Sequence, residues 1–178
     1  MLRPGPMMDN WQPIIIPLSM KKLIAAVALP VILSGCAVSN NAKKFGDAPR
    51  PTVRADKAVL YFFREYAEPT AFSAEVQIDD RPVASLAQQG FSWVYVTPGK
   101  HLLTQKWTFM AGMPSLNFEQ EFEANKTYAF EIKGRSTFNG IAAGMMQFTA
   151  STVVATVEPE SAERLMEKCC RYVEAIKE

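Results

Sequence analysis

Residues that could act as acids, bases or nucleophiles are few, and they form no recognisable catalytic pattern. His101 is the only histidine, so no histidine pair can share a metal or a proton. No Gly-x-Ser-x-Gly sequence marks a nucleophilic serine, and no P-loop is found. Glu119, Glu121 and Glu123 alternate along a predicted strand, which is typical of a solvated face rather than a calcium site. The sequence therefore predicts a non-enzymatic protein without a metal or other cofactor.

The chain has three cysteines, of which Cys169 and Cys170 are adjacent in a predicted helix. Neighbouring side chains on a helix point about 100° apart, so a bridge between them would distort it. We expect Cys169 to be a buried apolar residue and Cys170 to lie at the margin. The alternative is an intermolecular bridge, and the sequence leaves open whether either cysteine forms a disulfide.

The third cysteine, Cys36, follows a segment with the layout of an export signal. Lys21 and Lys22 precede an apolar run of eleven residues, 23–33, and Ser34-Gly35-Cys36 follows it. The run is too short to span a bilayer, which takes ~20 residues, but it suits a signal peptide. The sequence around Cys36 resembles a lipobox, the cleavage site of bacterial lipoproteins. The resemblance implies cleavage before Cys36 and lipidation of its thiol.

The predicted signal peptide comprises residues 1–35. Residues 1–19 do not fit the export pattern, and the simplest interpretation is an upstream extension, with translation starting at Met20. The choice among Met1, Met7, Met8 and Met20 as the true start stays open. The resemblance implies a cell-envelope location, and the absence of aspartate after Cys36 favours the outer membrane, facing the periplasm. Which membrane holds the protein stays open.

After removal of residues 1–35 the chain keeps 16 basic and 17 acidic residues, a net charge of −1. A nearly neutral domain has no electrostatic basis for binding nucleic acid. Residues 36–56 are predicted to be the lipidated cysteine and a flexible tether, because they are polar and lack apolar periodicity. Twenty flexible residues would span about 25 Å.

Residues 57–178 predict a mainly β domain, an antiparallel β-sandwich of about seven to eight strands with a C-terminal amphipathic helix. Short apolar runs alternate with turn signals about every ten residues. Asp79-Asp80 and Pro98-Gly99 are predicted turns. The helix is predicted to begin near Pro159 and to continue through Val173 and Ile176. The expected strands are 58–64, 75–79, 83–88, 91–97, 101–108, 116–123, 127–133 and 148–157.

The stretch 76–103 resembles the PEGA-type β module. The matching residues are two turn sequences, Asp79-Asp80-Arg81-Pro82-Val83 and Pro98-Gly99-Lys100-His101; Asp80 replaces the usual glycine. Together with the lipobox and the terminal helix, the domain resembles a family of small bacterial lipoproteins of unknown function. The resemblance implies a β-sandwich and supplies no catalytic residue.

Two features could form a binding surface. Phe91, Trp93 and Tyr95 alternate on one predicted strand, and Trp107 lies on the next. Trp93, Tyr95 and Trp107 could form a sugar-binding platform or belong to the core. Separately, residues 136–157 carry no charge. There the alternatives are a flexible loop before a buried strand and, around 138–147, a mobile contact site for a protein or the bilayer. The candidate contact residues are Ile141, Ala143, Met145 and Met146.

The sequence thus favours a lipid-anchored envelope protein acting as a non-enzymatic interaction or structural module. Its expected partners are the membrane, through the anchor, and an envelope protein; the oligomeric state stays open. The alternative is a ligand-binding lipoprotein that recognises glycan or a small apolar molecule.

Overall fold

The computed structural model describes residues 38–176. The predicted signal peptide and Cys36 lie outside the described residues. Within them the chain forms nine strands and one α-helix, α1 (Pro159–Cys169). The strands are β1 (Ala58–Arg64), β2 (Ala74–Ile78), β3 (Arg81–Leu86), β4 (Gly90–Val96), β5 (Gly99–Trp107), β6 (Leu116–Phe122), β7 (Thr127–Ala142), β8 (Met145–Val157) and β9 (Arg171–Tyr172).

The strands form two sheets, which confirms the predicted β-sandwich. One sheet has the order β8-β7-β1-β4-β9 and the other the order β3-β2-β5-β6. Most neighbours are antiparallel, but β1 pairs in parallel with β7 and β4 in parallel with β9. Asp79 and Asp80 form the β2–β3 turn with φ of 49° and 64°, as predicted. At Pro98-Gly99 the chain crosses from one sheet to the other.

The inner core lies between the two sheets. Phe62 of β1 stacks on Phe130 of β7 with ring centroids 5.6 Å apart, and both side chains are buried. Phe122 of β6 meets Phe130 edge-on at 6.2 Å. Alternate residues of each strand point inward because side chains alternate across a strand. Aromatic packing between sheets therefore holds the sandwich together.

The five-stranded sheet is covered on its outer face as well, so every residue of β1 is buried. Ala162 and Met166 of α1 pack on this face. Phe45, in a short 3-10 turn (Phe45–Asp47), lies there too, with its ring 5.1 Å from that of Phe91. A strand buried on both faces reads as a continuous apolar run, as the sequence AVLYFFR does.

The expected flexible tether is wrong for the described residues 38–56. Phe45 is only 2% exposed, and the Tyr172 amide of β9 donates to the Lys43 carbonyl at 2.8 Å. Arg171 donates to the carbonyls of Asn40 and Ala42 at 3.0 and 2.9 Å. One buried aromatic and these backbone contacts fix a segment whose composition is otherwise polar.

The helix is shorter than predicted and the cysteines behave differently. Helix α1 starts at Pro159, as expected, but ends at Cys169, and Cys170 is extended with φ −117° and ψ 149°. Val173 and Ile176 therefore lie beyond the helix. Cys170 is the buried cysteine, and a disulfide joins it to Cys169. Because the helix ends between the two cysteines, the bridge does not have to distort helical residues.

Among the described residues no helix is both long and apolar enough to cross a membrane.

Strands β7 and β8 form a long hairpin instead of the expected loop and short strand. They pair continuously from Ala129↔Val157 to Ala142↔Met145, with a bulge between Phe138 and Gly140. Ala143 and Gly144 form the turn, with φ of 51° and 77°. The segment 138–147 thus belongs to a hydrogen-bonded ribbon. We call residues 135–151, the half of the hairpin nearest the turn, the arm.

Two phenylalanines of β7 give a matched test of this architecture. Phe130→Ala should lower the free energy of unfolding by about 3–5 kcal/mol, because it opens a cavity in the core. Phe138→Ala, in the arm, should change it by only about 0.5 kcal/mol, since Phe138 is 54% exposed and exposed sites contribute little. Urea unfolding measures both values, and similar losses for the two variants would contradict the described core.

Candidate functional site

The three residues of the predicted ligand platform do not share a surface. Trp93 and Tyr95 lie on the outer face of β4, with ring centroids 5.5 Å apart. Residues 38–56, which we call the N-terminal segment, run beside them. Trp93 Nε1 donates to the Pro49 carbonyl and the Tyr95 hydroxyl donates to the Thr52 carbonyl, each at 2.8 Å. These two aromatic residues therefore fasten the N-terminal segment to the sheet.

Trp107 lies on β5 of the other sheet and is only 8% exposed. Its Nε1 donates to Thr152 Oγ1 of β8 at 2.8 Å, and Thr152 Oγ1 donates to the Pro114 carbonyl. The guanidinium of Arg64 lies 4.7 Å from the centre of the Trp107 ring. The indole nitrogen and the ring face of Trp107 are thus both in contact with other parts of the protein. The expected platform of Trp93, Tyr95 and Trp107 is therefore wrong as a single surface.

His101 lies at the opposite end of the sandwich from Trp107, beside an open cleft of about 500 Å³. The cleft is lined by Val83 of β3 and Val94 of β4, with Lys57 and Arg81 among its polar residues. The cleft therefore combines apolar side chains with two cationic residues and the carboxylate of Asp79.

Both ring nitrogens of His101 are engaged. Nδ1 lies 2.6 Å from Asp79 Oδ2, and Nε2 lies 2.9 Å from the Thr97 carbonyl oxygen. A carbonyl oxygen can only accept, so Nε2 must donate. Asp79 Oδ1 also accepts from the Leu102 amide at 3.0 Å. These contacts tie the β2–β3 turn to the start of β5.

The arm presents an apolar face. Phe138 pairs with Phe148 across the ribbon and their ring centroids are 5.4 Å apart; nearer the turn, Ile141 pairs with Met146. Residues 146 and 148 of one strand point to the same side, so the four side chains share one face. They are 54%, 58%, 70% and 67% exposed in the order Phe138, Phe148, Ile141, Met146. We call these four residues the apolar face of the arm.

The other face of the arm is more polar. Thr137 pairs with Thr149, and the Asn139 side-chain amide donates to Thr149 Oγ1 at 2.6 Å. Of the predicted contact residues, Ile141 and Met146 lie on the apolar face, Ala143 lies in the turn, and Met145 pairs with Ala142 on the polar side. All four are exposed. Phe138 and Phe148 were not among the predicted contact residues, although the strand-like residues that flank Ala143-Gly144 are a signal for a hairpin.

The base of the arm is held by a buried cation. The guanidinium of Arg64 donates to the carbonyls of Ala67, Pro69 and Phe72 at 2.9, 2.5 and 2.5 Å. Burial lowers the pKa of Arg64 to about 10, so it is protonated at neutral pH. The loop that it orders contacts β7, where the Gly134 amide donates to the Glu68 carbonyl at 2.8 Å.

Gly134 is required at this contact. A β-carbon at that position would lie 2.6 Å from the Glu68 carbonyl oxygen, a distance that real β-carbons do not tolerate. The loop around Arg64 therefore fixes β7 through Gly134, and the hydrogen bond from Trp107 to Thr152 fixes β8. Both strands of the hairpin are held where the arm begins.

The described residues include no group of three or more His, Cys, Asp or Glu side chains placed to hold a metal ion. Comparison with protein-family models and with curated protein sequences gave no match. The resemblance to the PEGA-type module and to small bacterial lipoproteins therefore stays a prediction. At the two turns that carry it, the structure places Asp79 and His101 in contact with each other.

The Asp79–His101 contact can be tested through its pH dependence. Hydrogen bonds from His101 and from the Leu102 amide hold the pKa of Asp79 below its ordinary value of 3.8. The stabilisation is therefore present above pH 3.8 and is lost as the pH falls through the lower pKa of the folded state. Asp79→Asn should lower the free energy of unfolding by about 0.5 kcal/mol at neutral pH, because the Asp79 side chain is 51% exposed and solvent screens the interaction.

Urea unfolding of both proteins, from neutral pH to below the pKa of Asp79, measures this difference. It should shrink as the pH falls through the acidic end of the series, and a difference that grows instead would contradict the assignment. Asp80→Asn, at the adjacent turn position, is the control and should show no such pH dependence.

Proposed function

We propose that this chain is a lipid-anchored protein of the bacterial cell envelope whose β-sandwich acts as a non-enzymatic interaction module. The anchor is Cys36, and the membrane concerned is the outer membrane on its periplasmic side. The lipobox-like sequence supports the anchor. One lipid chain binds a bilayer weakly, so stable attachment takes two or more, as a diacylglycerol on Cys36 would supply.

The observation that carries the interaction role is the apolar face of the arm. Four large apolar side chains lie together on a ribbon that has no charged residue from 136 to 151. Contiguous exposed apolar surface on a soluble domain usually marks a contact site. Covering such a side chain completely stabilises a complex by about 1.5–3 kcal/mol, so four partly exposed ones provide substantial binding free energy.

A ligand-binding role is the weaker candidate. It depended on Trp93, Tyr95 and Trp107 forming one platform for a sugar ring, and Trp107 is buried in a different sheet from the other two. The aromatic ring that lines the cleft beside His101 is that of Tyr95, and the guanidinium of Arg54 lies over this ring, 4.5 Å from its centre. The ring face on which a sugar would stack is therefore already in contact with the protein. The arm is therefore the better candidate for the functional surface.

The anchor is tested by substituting the cysteine. Cys36→Ser should abolish incorporation of a fatty-acid analogue during growth and leave an uncleaved precursor, because serine cannot form the thioether. Cys170→Ser, whose cysteine is buried in the folded domain, is the control and should still be labelled. Persistent labelling of the Cys36→Ser protein would refute the lipidation site.

The interaction role is tested by photocrosslinking in intact cells. Benzoylphenylalanine at position 138 should give adducts with a protein or with lipid, because that side chain lies on the apolar face. The same group at position 137 is the matched control, since Thr137 is the neighbouring exposed residue on the opposite face. Equal yields at both positions would show that the apolar face is not a specific contact surface.

A further inference from the structure

We propose that the apolar face of the arm rests on the surface of the phospholipid bilayer that holds the Cys36 lipid. The inference deepens the proposed function and rests on it, because it names the contact partner of the arm. It follows from where the arm and the N-terminal segment leave the sandwich.

The arm and Val38 lie at the same end of the five-stranded sheet. Gly90, the first residue of β4, pairs with Arg64, the last residue of β1. A β-carbon at Gly90 would lie 3.2 Å from Cγ2 of Val38, so Val38 packs directly on this end. Strand β7 runs parallel to β1, and it continues past this end to form the arm.

The extension is long. Phe63 pairs with Glu131, and β7 continues for eleven more residues to Ala142. At about 3.3 Å per residue, that distance is about 36 Å. The arm therefore projects from the sandwich in the direction in which β1 points, towards the end that carries Val38.

The lipid must enter the bilayer close to Val38. Only Ala37 separates Cys36 from Val38, and two residues of extended chain span at most about 7 Å. The carbonyls of Asn40 and Ala42 accept hydrogen bonds from the Arg171 guanidinium, and that of Lys43 accepts from the Tyr172 amide, so the chain that follows Val38 is held in place. The lipid and the arm consequently reach the membrane from the same end of the domain.

The chemistry of the arm suits the boundary between headgroups and acyl chains. Its apolar face consists of phenylalanine, isoleucine and methionine, and the charged residue nearest to it along β7 is Arg135, at the base. Phe138 lies three positions beyond Arg135 and Ile141 lies six positions beyond it, about 10 Å and about 20 Å of strand. Basic residues at these distances can remain among the headgroups while apolar residues enter the boundary.

Deeper insertion is excluded by the backbone. Strand β8 is an edge strand of its sheet, so its outward amides and carbonyls need water or headgroups as partners. Groups of this kind are not tolerated in the hydrocarbon region of a bilayer. The arm therefore lies at the interface and does not cross it.

Fluorescence of the purified protein in vesicles tests the proposal. Full-length protein would be purified from bacterial membranes and reconstituted into phosphatidylethanolamine and phosphatidylglycerol vesicles whose acyl chains carry bromine, a contact quencher. The probes are Met146→Trp, on the apolar face, and Gln147→Trp, its neighbour on the other face. Emission from the tryptophans that the protein already has is measured on the unsubstituted protein and subtracted.

We expect the tryptophan at 146 to lose more than half of its emission in brominated vesicles, and the tryptophan at 147 to lose much less. No quenching at 146, or equal quenching at both positions, overturns the proposal. Mass measurement of the same sample shows independently whether Cys36 is lipidated. A lipidated protein without quenching contradicts the arm contact alone, whereas quenching of an unlipidated protein supports the arm contact and refutes the anchor.

Discussion

The burial of one cation organises the end of the molecule where the arm begins. Arg64 ends the most apolar strand of the protein and has no exposed surface. A buried charge is costly unless it is hydrogen-bonded, and Arg64 meets that requirement with three backbone carbonyls and the face of Trp107. The chain from 67 to 72 must therefore curl around the guanidinium. Gln88 adds hydrogen bonds to both backbone groups of Ala67, and the resulting loop supports Gly134.

The layered structure follows from β1. Since β1 is buried on both faces, the five-stranded sheet needs a cover on the side away from the other sheet. Helix α1 supplies part of that cover and the N-terminal segment supplies the rest through Phe45. Burial raises the pKa of Tyr61 on this face to about 12, in keeping with an enclosed environment. The N-terminal segment is thus a structural layer of the domain.

Much of the fold was predictable because its strands alternate or form continuous apolar runs, and because Asp79-Asp80 is a turn sequence. The local signals failed where tertiary contacts decide. Phe45 is one aromatic residue in a polar stretch. Nothing nearby in sequence shows that it packs against Phe91 and Tyr61. The helical spacing of Val173 and Ile176 continued past Cys169, but pairing with β4 takes precedence there.

The candidate site was predictable only in part. The lack of charge from 136 to 157 drew attention to Ile141 and Met146, but the hairpin itself was missed because its uncharged residues gave no clear alternation. Trp107 illustrates the opposite error. Its position one strand after Trp93 suggested a shared surface, yet the chain changes sheets at Pro98-Gly99, so consecutive strands are not neighbours.

If Cys36 carries the proposed lipid, the ordered N-terminal segment also restricts how the domain is oriented on the membrane. A domain on a long flexible tether samples all orientations relative to the membrane. A domain whose chain is held by hydrogen bonds from residue 40 onwards samples fewer of them. In the proposed orientation the arm and Val38 contact the bilayer, and the cleft beside His101 lies at the far end of β1, away from the arm. A soluble molecule that enters this cleft would meet the side chains of Lys57 and Arg81 without competing with the membrane for the arm.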